Sequence, residues 1–169
     1  MTVKEANKTV RRLIGEDDFH DVEDILPSYY SLAQVQIATT AAPIEKVVQA
    51  PCGVTTLLPD DLYRLIGVKG SFVRIDSHHI FIDGEGSAAV RYYAYPAPIR
   101  DDCDIMTEFE VCPEAQMAIP YYAAAQTVLA DSDMRRYYAF MDMYNSVLAN
   151  VSAGREGKSL LTVVDLEAM

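Results

Sequence analysis

The sequence predicts an α+β fold in which a helical bundle is interrupted by an inserted antiparallel β domain. Apolar residues recur with helical spacing near both ends of the chain, whereas residues 45–95 contain short apolar runs separated by turns. We therefore expect two N-terminal helical segments in 1–44 and two C-terminal ones in 96–152 to form one domain around the β-rich insert. Residues 153–169 are expected to form a flexible linker and an extended C-terminal arm.

Helical signals begin at the N-terminus. Thr2 and Glu5 have the spacing of a capping box, in which each side chain accepts a hydrogen bond from the other residue's backbone N–H. Gly15 is suited to end this first helix. In the second segment Pro27 predicts a kink or a new helix start, and Pro43 ends the segment. The two apolar stripes are Val3, Ala6, Val10, Leu13 and Ile14, then Val22, Ile25, Leu26, Tyr29, Leu32, Ala33 and Ile37.

The middle of the chain predicts strands joined by tight turns. Apolar and polar residues roughly alternate in 72–76 and 79–82, which indicates a hairpin with one buried and one solvated face. Glycine and acidic residues at 83–86 form a further turn. The expected strands are 63–68, 72–76, 79–82 and 88–95, after an extended stretch that begins at Ile44.

The C-terminal part predicts two more helices and a tail. After a connector at 96–112, one helix should end at Ala130, where Asp131-Ser132-Asp133 breaks it and caps the next. The strongest helical stripe follows at 133–150. Residues 152–159 have the composition of a flexible linker, and 160–166 are strand-like, so we expect this arm to pair with a neighbouring subunit. The stripe contains Met134, Tyr137, Tyr138, Met141, Tyr144 and Leu148.

Composition excludes several classes of function. The net charge of −11 argues against a surface that grips nucleic-acid phosphates. No run approaches the roughly 18 apolar residues of a membrane span, and the N-terminus lacks the apolar core of a signal peptide, so we expect no membrane role. Three cysteines without CxxC spacing indicate reduced thiols. The sequence contains no P-loop, GxSxG or GxGxxG motif.

The remaining chemical candidates favour ordinary structural roles. His78 and His79 would face opposite sides of a strand, so they could bind one metal ion together only in a turn. The acidic groups at 60–61 and 101–104 lack the spacing of a calcium loop. A cysteine could meet a histidine in space, but no local motif supports a nucleophile. We therefore expect no catalytic residue, no metal site and no cofactor.

Tyrosine is the most informative residue type. The chain contains 11 tyrosines and no tryptophan, and four adjacent pairs begin at residues 29, 92, 121 and 137. Two interpretations stay open: a border of the core, or a subunit interface, where tyrosine is enriched. The residues expected to contact another subunit or a partner are Tyr121, Tyr122, Tyr137, Tyr138, Leu160, Leu161, Val163, Val164 and Leu166.

Three segments carry a resemblance to a known family. LLPDDLYRLIGV at 57–68 leads into a strand, VRYYAYPAPIRDDCD at 90–104 ends a strand in tyrosines and proline, and IPYYAAAQTVLADSDMRRYYAFMDMYNSVL at 119–148 forms paired helices. Their order, over about three-quarters of the chain, resembles the head–tail connector (adaptor and neck) proteins of tailed bacteriophages.

The resemblance implies a structural virion protein without catalytic residues. Its copies would form a ring, typically of twelve, below the portal protein and above a stopper or tail protein, with DNA passing the lumen without sequence-specific binding. The protein would be assembled in the host cytoplasm and reside in the neck of the virion. The alternatives are a stopper or tail-completion protein, a cellular protein-binding module, or an enzyme with an unrecognised site.

Overall fold

The computed structural model describes the backbone of residues 1–167 and their side chains except those of 16, 17 and 156–167. It combines α-helices with two small antiparallel sheets, which agrees with the predicted α+β class. The chain divides into two compact units. The β unit is Pro43–Pro96, and the helical unit comprises Met1–Ala42 together with Ala97–Met169.

The bounds of the elements are as follows. The helices are α1 (Val3–Ile14), α2 (Glu16–Val22), α3 (Leu26–Thr40), α4 (Pro113–Gln116), α5 (Ile119–Ala130) and α6 (Met134–Glu167). The strands are β1 (Ile44–Pro51), β2 (Thr55–Leu57), β3 (Leu62–Val68), β4 (Phe72–Arg74), β5 (His79–Ile82) and β6 (Ser87–Ala94).

The predicted capping box starts α1. The Glu5 backbone N–H donates to the Thr2 hydroxyl at 3.3 Å, and the Thr2 backbone N–H donates to the Glu5 carboxylate at 2.9 Å. Gly15, with φ of +107°, ends the helix. Pro27 lies in the first turn of α3, where its missing N–H leaves no helical bond unmade, so it marks a new helix start as expected.

Helix α5 is the centre of the helical unit. It contacts α1, α3 and α6, and Ala123, Ala124 and Ala125 are fully buried in it. Because alanine side chains are short, neighbouring helices can approach its axis closely, and the packing gains dispersion energy along its whole length. The Ala-Ala-Ala segment is therefore a packing centre.

Two buried glutamines hold residues 97–112, the connector that leads into α4. The Gln34 side-chain oxygen accepts a hydrogen bond from the Glu110 backbone N–H at 2.9 Å. The Gln116 amide donates to the backbone carbonyls of Phe109 and Val111, both at 2.9 Å. Buried amides need such partners, so these side chains replace the regular backbone bonds that the connector lacks.

Arg136 of α6 closes the C-terminal end of α1. Its guanidinium donates to the carbonyls of Leu13 at 3.2 Å and Ile14 at 3.0 Å, and it lies 3.5 Å from the Asp18 carboxylate. The last carbonyls of a helix lack intrahelical partners, and the helix dipole favours a cation there. Arg136 therefore joins the two ends of the sequence in one contact.

The two three-stranded sheets of the β unit can be described together as one sheet folded over on itself. Its halves have the orders β1-β6-β3 and β2-β5-β4, and the chain passes directly from β1 to β2, from β3 to β4 and from β5 to β6. Each consecutive pair is thus one long strand bent at a corner. The corners contain glycines with positive φ, namely Gly53, Gly70, Gly84 and Gly86, and hydrogen bonds such as Cys52 N–H to Gly86 O at 2.9 Å align them.

The two half-sheets enclose a small apolar core. Its buried residues are Ala50, Leu58, Ile80, Ile82, Ala88 and Val90. The half-buried side chains of Leu62, Leu65 and Val68 pack against this cluster. Alternation along β5 and β6 directs every second residue into the core, so the bend converts a single sheet into two layers.

The structure contradicts the predicted flexible linker and extended C-terminal arm. Helix α6 continues without interruption from Met134 to Glu167, across both the expected linker and the expected strand. Gly154 and Gly157 each cost a helix only about 1 kcal/mol relative to alanine, and the alanine, arginine, glutamate and lysine around them favour helix. A helix already nucleated at Met134 also extends more easily than a new strand forms.

Replacing Arg136 with alanine should lower the free energy of unfolding by about 1–3 kcal/mol, because two helix-terminal carbonyls lose a charged donor. Urea unfolding followed by circular dichroism measures the change. Arg135→Ala is the matched control, since Arg135 is exposed on the same helix and its loss should change stability by less than about 0.5 kcal/mol. Equal effects of the two substitutions would show that the cap contributes nothing.

Candidate interaction surfaces

Of the tyrosine pair on α5, Tyr122 takes part in an aromatic contact within the helical unit. Tyr121 and Tyr122 are both half-buried, and the Tyr122 ring lies 5.4 Å from that of Tyr144 in α6. Burial raises the pKa of Tyr122, and the nearby Tyr137 and Tyr29 raise it further. Tyr122 therefore contributes mainly to packing between the helices, as one of the two open interpretations expects.

The pair on α6 divides between the inside and the outside. Tyr137 is half-buried, whereas Tyr138 is 59% exposed, with its ring 5.4 Å from that of Tyr137. Met134, one turn earlier, is exposed, and Met141, about one turn later, is half-buried. These side chains make an apolar stripe on α6 that we call the Tyr138 stripe. Sequence analysis placed Met134, Tyr138 and Tyr144 on one face, but only Tyr144 of these three is buried.

Tyr144, about one turn after Met141 on α6, is almost fully buried. Burial raises the pKa of its hydroxyl, with a smaller contribution from Tyr122. Within the described part of the chain, this hydroxyl has no hydrogen-bond partner. The ring thus stabilises the core, whereas burial of its hydroxyl without a hydrogen-bond partner lowers the free energy of unfolding.

A groove with a volume of about 670 Å³ lies between α4 and α6 of the helical unit. Met117 is exposed beside it, and Glu114 and Arg155 bring charges of opposite sign to its lining. Its other lining residues are Cys112, Val147, Asn150, Val151 and Gly154. The size and mixed lining are typical of a cleft that receives a side chain or a helix of another protein.

The predicted contact residues Leu160, Leu161, Val163, Val164 and Leu166 fall on side chains outside the described residues. Their backbone belongs to α6.

The β unit carries an aromatic surface that sequence analysis did not include among the contact residues. The Tyr63 ring lies 6.0 Å from that of Tyr93 and 5.1 Å from that of Tyr95, and the Arg64 guanidinium lies 5.9 Å from the centre of the Tyr93 ring. Tyr93 and Tyr95 share a face by strand alternation, which the sequence contains. Tyr63 joins them because β3 pairs with β6, and no local pattern indicates that pairing.

An ion pair ties the turn before β3 to the sheet. The Lys46 ammonium lies 2.8 Å from the Asp61 carboxylate, which also accepts a hydrogen bond from the Tyr92 hydroxyl at 3.1 Å. Burial alone would raise the pKa of Asp61, but the hydrogen bonds from Lys46 and Tyr92 outweigh it and lower the pKa below its ordinary value. The three side chains connect β1, β6 and the turn.

His78 lies in the turn between β4 and β5, and His79 is the first residue of β5. The Asp76 carboxylate accepts hydrogen bonds from the backbone N–H groups of His78 and His79 and lies 3.0 Å from the His79 Nδ1 atom. These bonds shape the turn and lower the pKa of Asp76. In the described part of the chain, no group of three or more histidine, cysteine or acidic side chains is placed to hold a metal ion. The cysteines 52, 103 and 112 are free thiols.

None of the described helices is both long enough and apolar enough to cross a lipid bilayer.

Tyr144→Ala should reduce the free energy of unfolding by about 3–5 kcal/mol, because it removes a buried aromatic ring. Tyr144→Phe removes only the unpartnered hydroxyl and should leave stability unchanged or slightly higher. Tyr138→Ala is the control on the exposed side of α6 and should change stability by less than about 0.5 kcal/mol. A strong loss in Tyr138→Ala, measured by thermal unfolding, would contradict the assignment of the two faces.

Acid should weaken the β unit through Asp61. Because its pKa is lower in the folded chain than in the unfolded one, its stabilisation is fully present above the ordinary aspartate range near pH 4 and is lost as pH falls through the folded-state pKa. Asp61→Asn should lower stability at pH 7 and remove that part of the acid dependence. Asp60→Asn, at the exposed neighbour, should retain the wild-type profile in urea titrations from pH 7 to pH 3. Identical profiles for both variants would show that the network is not coupled to protonation.

The sequence matches no protein-family model and no curated protein. Function must therefore be inferred from the chain's own surfaces. These are the Tyr138 stripe and the α4–α6 groove of the helical unit, and the tyrosine surface and strand edges of the β unit.

Proposed function

We propose that this chain is a structural subunit of the head–tail connector of a tailed bacteriophage, an adaptor that forms a ring between the portal and the tail. The observation that carries the proposal is the number of separate exposed apolar surfaces on a chain of 169 residues. Monomeric proteins rarely expose large contiguous apolar patches, because such patches favour association or aggregation. A ring subunit needs them, since it contacts two neighbouring copies and a protein on each side.

The surfaces are of the kind that protein partners bind. The Tyr138 stripe combines methionine and tyrosine, both enriched in the cores of protein interfaces. The α4–α6 groove is large enough for several apolar side chains. In this proposal the helices form a bundle that contacts the portal and neighbouring copies through these two surfaces, and the β unit contacts neighbouring copies or the next tail component.

The distribution of charge is consistent with a ring around DNA. Pro43–Pro96 contains five lysine or arginine residues and six acidic residues, so the helical unit carries nearly all of the net charge of −11. An acidic wall repels phosphate, and DNA could then move through a lumen without being retained. The order of the three sequence segments supports the same family of proteins.

The test is cryo-electron microscopy of the purified full chain, alone and mixed with portal rings of the phage that encodes it. We expect a closed ring, alone or only on the portal, with the helical unit in contact with the portal. A ring that binds tail components but ignores the portal would identify a stopper or tail-completion protein instead. A chain that remains monomeric in both samples would exclude a connector role.

Tyr138→Ala should weaken this assembly while leaving the subunit folded, because truncating an aromatic interface residue typically costs more than 1 kcal/mol of binding free energy. Native mass spectrometry measures the ring population, and circular dichroism verifies the fold. Arg135→Ala is the control on the same helix. Unchanged assembly in Tyr138→Ala would remove the Tyr138 stripe from the interface.

A further inference from the structure

The half-sheet β2-β5-β4 has two unpaired edges of equal length. Strand β2 (Thr55–Leu57) and strand β4 (Phe72–Arg74) each pair with β5 on one side only, and each has three residues. All residues of Pro43–Pro96 are described, and no strand in this unit covers the outer side of either β2 or β4. An unpaired edge presents backbone donors and acceptors that fit another extended strand.

Hydrogen bonds of the β4–β5 hairpin identify the groups that point outward from β4. Asp83 N–H donates to Ser71 O at 2.9 Å, and Ile75 N–H donates to His79 O at 3.0 Å. Residues that exchange bonds with β5 therefore alternate with residues that do not. By this alternation Phe72 and Arg74 direct their backbone N–H and C=O groups to the open side of the strand.

The same reasoning applies to β2. Leu58 N–H donates to His78 O at 2.7 Å, so Leu58 directs its backbone groups toward β5. Thr56, two residues earlier, does the same. Thr55 and Leu57 then direct their backbone groups to the open side. The two edges thus offer complementary ladders of equal length.

Both edges are flanked by large apolar side chains that face solvent. Leu57 is 61% exposed and Val54 50% at the β2 edge, and Val73 is 65% and Ile75 53% exposed at the β4 edge. Proteins usually protect such edges with charged residues, proline or a covering element. Here another strand that pairs with either edge would also bury these exposed apolar side chains, which favours the pairing.

Charge also distinguishes the two edges. The β2 side, residues 50–62, contains Asp60 and Asp61, of which Asp61 is paired with Lys46, and no lysine or arginine. The β4 side, residues 66–75, contains Lys69 and Arg74 and no acidic residue. Opposite charges favour contact of one edge with the other, whereas two β4 edges would bring like charges together.

The register within the half-sheet aligns the exposed side chains in rows. Thr55 pairs with Phe81, which pairs with Val73, and Leu57 pairs with His79, which bonds to Ile75. If a second copy continued the sheet in the same register, Val73 would lie beside Thr55 of that copy and Ile75 beside its Leu57. The most exposed apolar residues of the two edges would then cover each other.

We propose that the β4 edge of one copy pairs with the β2 edge of the next copy, so that the half-sheets join into a continuous belt. Strands β2 and β4 both run antiparallel to β5, so the new pair is parallel when the copies are related by a rotation about an axis along the strands. The contact joins two different surfaces, and such head-to-tail contacts generate a ring when the rotation between successive copies closes. This inference rests on the proposed function and identifies the surface that joins its subunits.

The experiment uses the full chain in the assembly that it forms alone or on the portal. Thr55→Cys and Val73→Cys are introduced singly and together, followed by mild oxidation and non-reducing electrophoresis. We expect a ladder of cross-linked copies only in the double variant, because each disulfide needs one cysteine from each edge. The single variants control for the natural cysteines, and Thr55→Cys with Leu57→Cys, both on the β2 edge, is the matched negative control, because it leaves the β4 edge of the neighbouring copy without a new cysteine.

A charge exchange tests the same contact energetically. Leu57→Asp and Ile75→Asp should each raise the dissociation constant between copies by about tenfold or more, measured by sedimentation. The double variant Leu57→Lys with Ile75→Asp should recover most of the loss, since opposite charges then face each other across the contact. Both sites are exposed, so thermal unfolding should be unchanged in all variants.

The outcomes separate this inference from the proposed function. A ring that forms normally but gives no ladder, or that tolerates Leu57→Asp and Ile75→Asp, overturns edge pairing and leaves the connector role intact. A cross-link from Val73→Cys to another protein assigns the β4 edge to a different partner and also overturns the inference. Failure to assemble with or without the portal contradicts both.

Discussion

The close packing around α5 is the constraint on which the helical unit depends. Three consecutive alanines let helices from both ends of the sequence approach one axis, so α1 and α3 share a core with α6. Arg136 then completes the arrangement, because the C-terminal end of α1 obtains its charged donor from α6. Neither terminal part of the chain could bury its apolar stripe alone. The exposed Tyr138 stripe is what α6 retains after its inner face has been used in this way.

In the β unit the corresponding constraint is that the three glycine-containing bends between successive strands lie side by side. A sheet of three strands has only one face that can be buried against itself, and the fold creates two layers by bending all strands at the same level. This arrangement leaves an unpaired edge on each outer strand, because a folded three-stranded sheet provides no further strand to pair with them. The same geometry that produces a core of six residues therefore produces the edges to which the subunit contact is assigned.

Local signals were predictable from the sequence, and long-range ones were not. The Thr2–Glu5 capping box and the helix start at Pro27 follow from short-range rules, and the strand pattern at 72–76 and 79–82 identified the hairpin of β4 and β5. The pairing of β1 with β6, the Arg136 cap and the tyrosine surface of Tyr63 join residues far apart, so no local pattern encodes them. The prediction of an extended C-terminal arm was wrong. It gave two glycines and a run of β-branched residues more weight than the tendency of a long helix to propagate.

The register of the β insert has a consequence for how the chain folds. Ile44 pairs with Ala94, so the first and last strands of the insert bring its two ends together. Without that pairing, α3 and α5 would have to meet across a disordered loop of more than 50 residues, whose closure entropy costs about 3–4 kcal/mol. An insert that folds first removes this cost, because its paired end strands already hold the two chain ends close together. Destabilising the insert would then slow the folding of the helical unit.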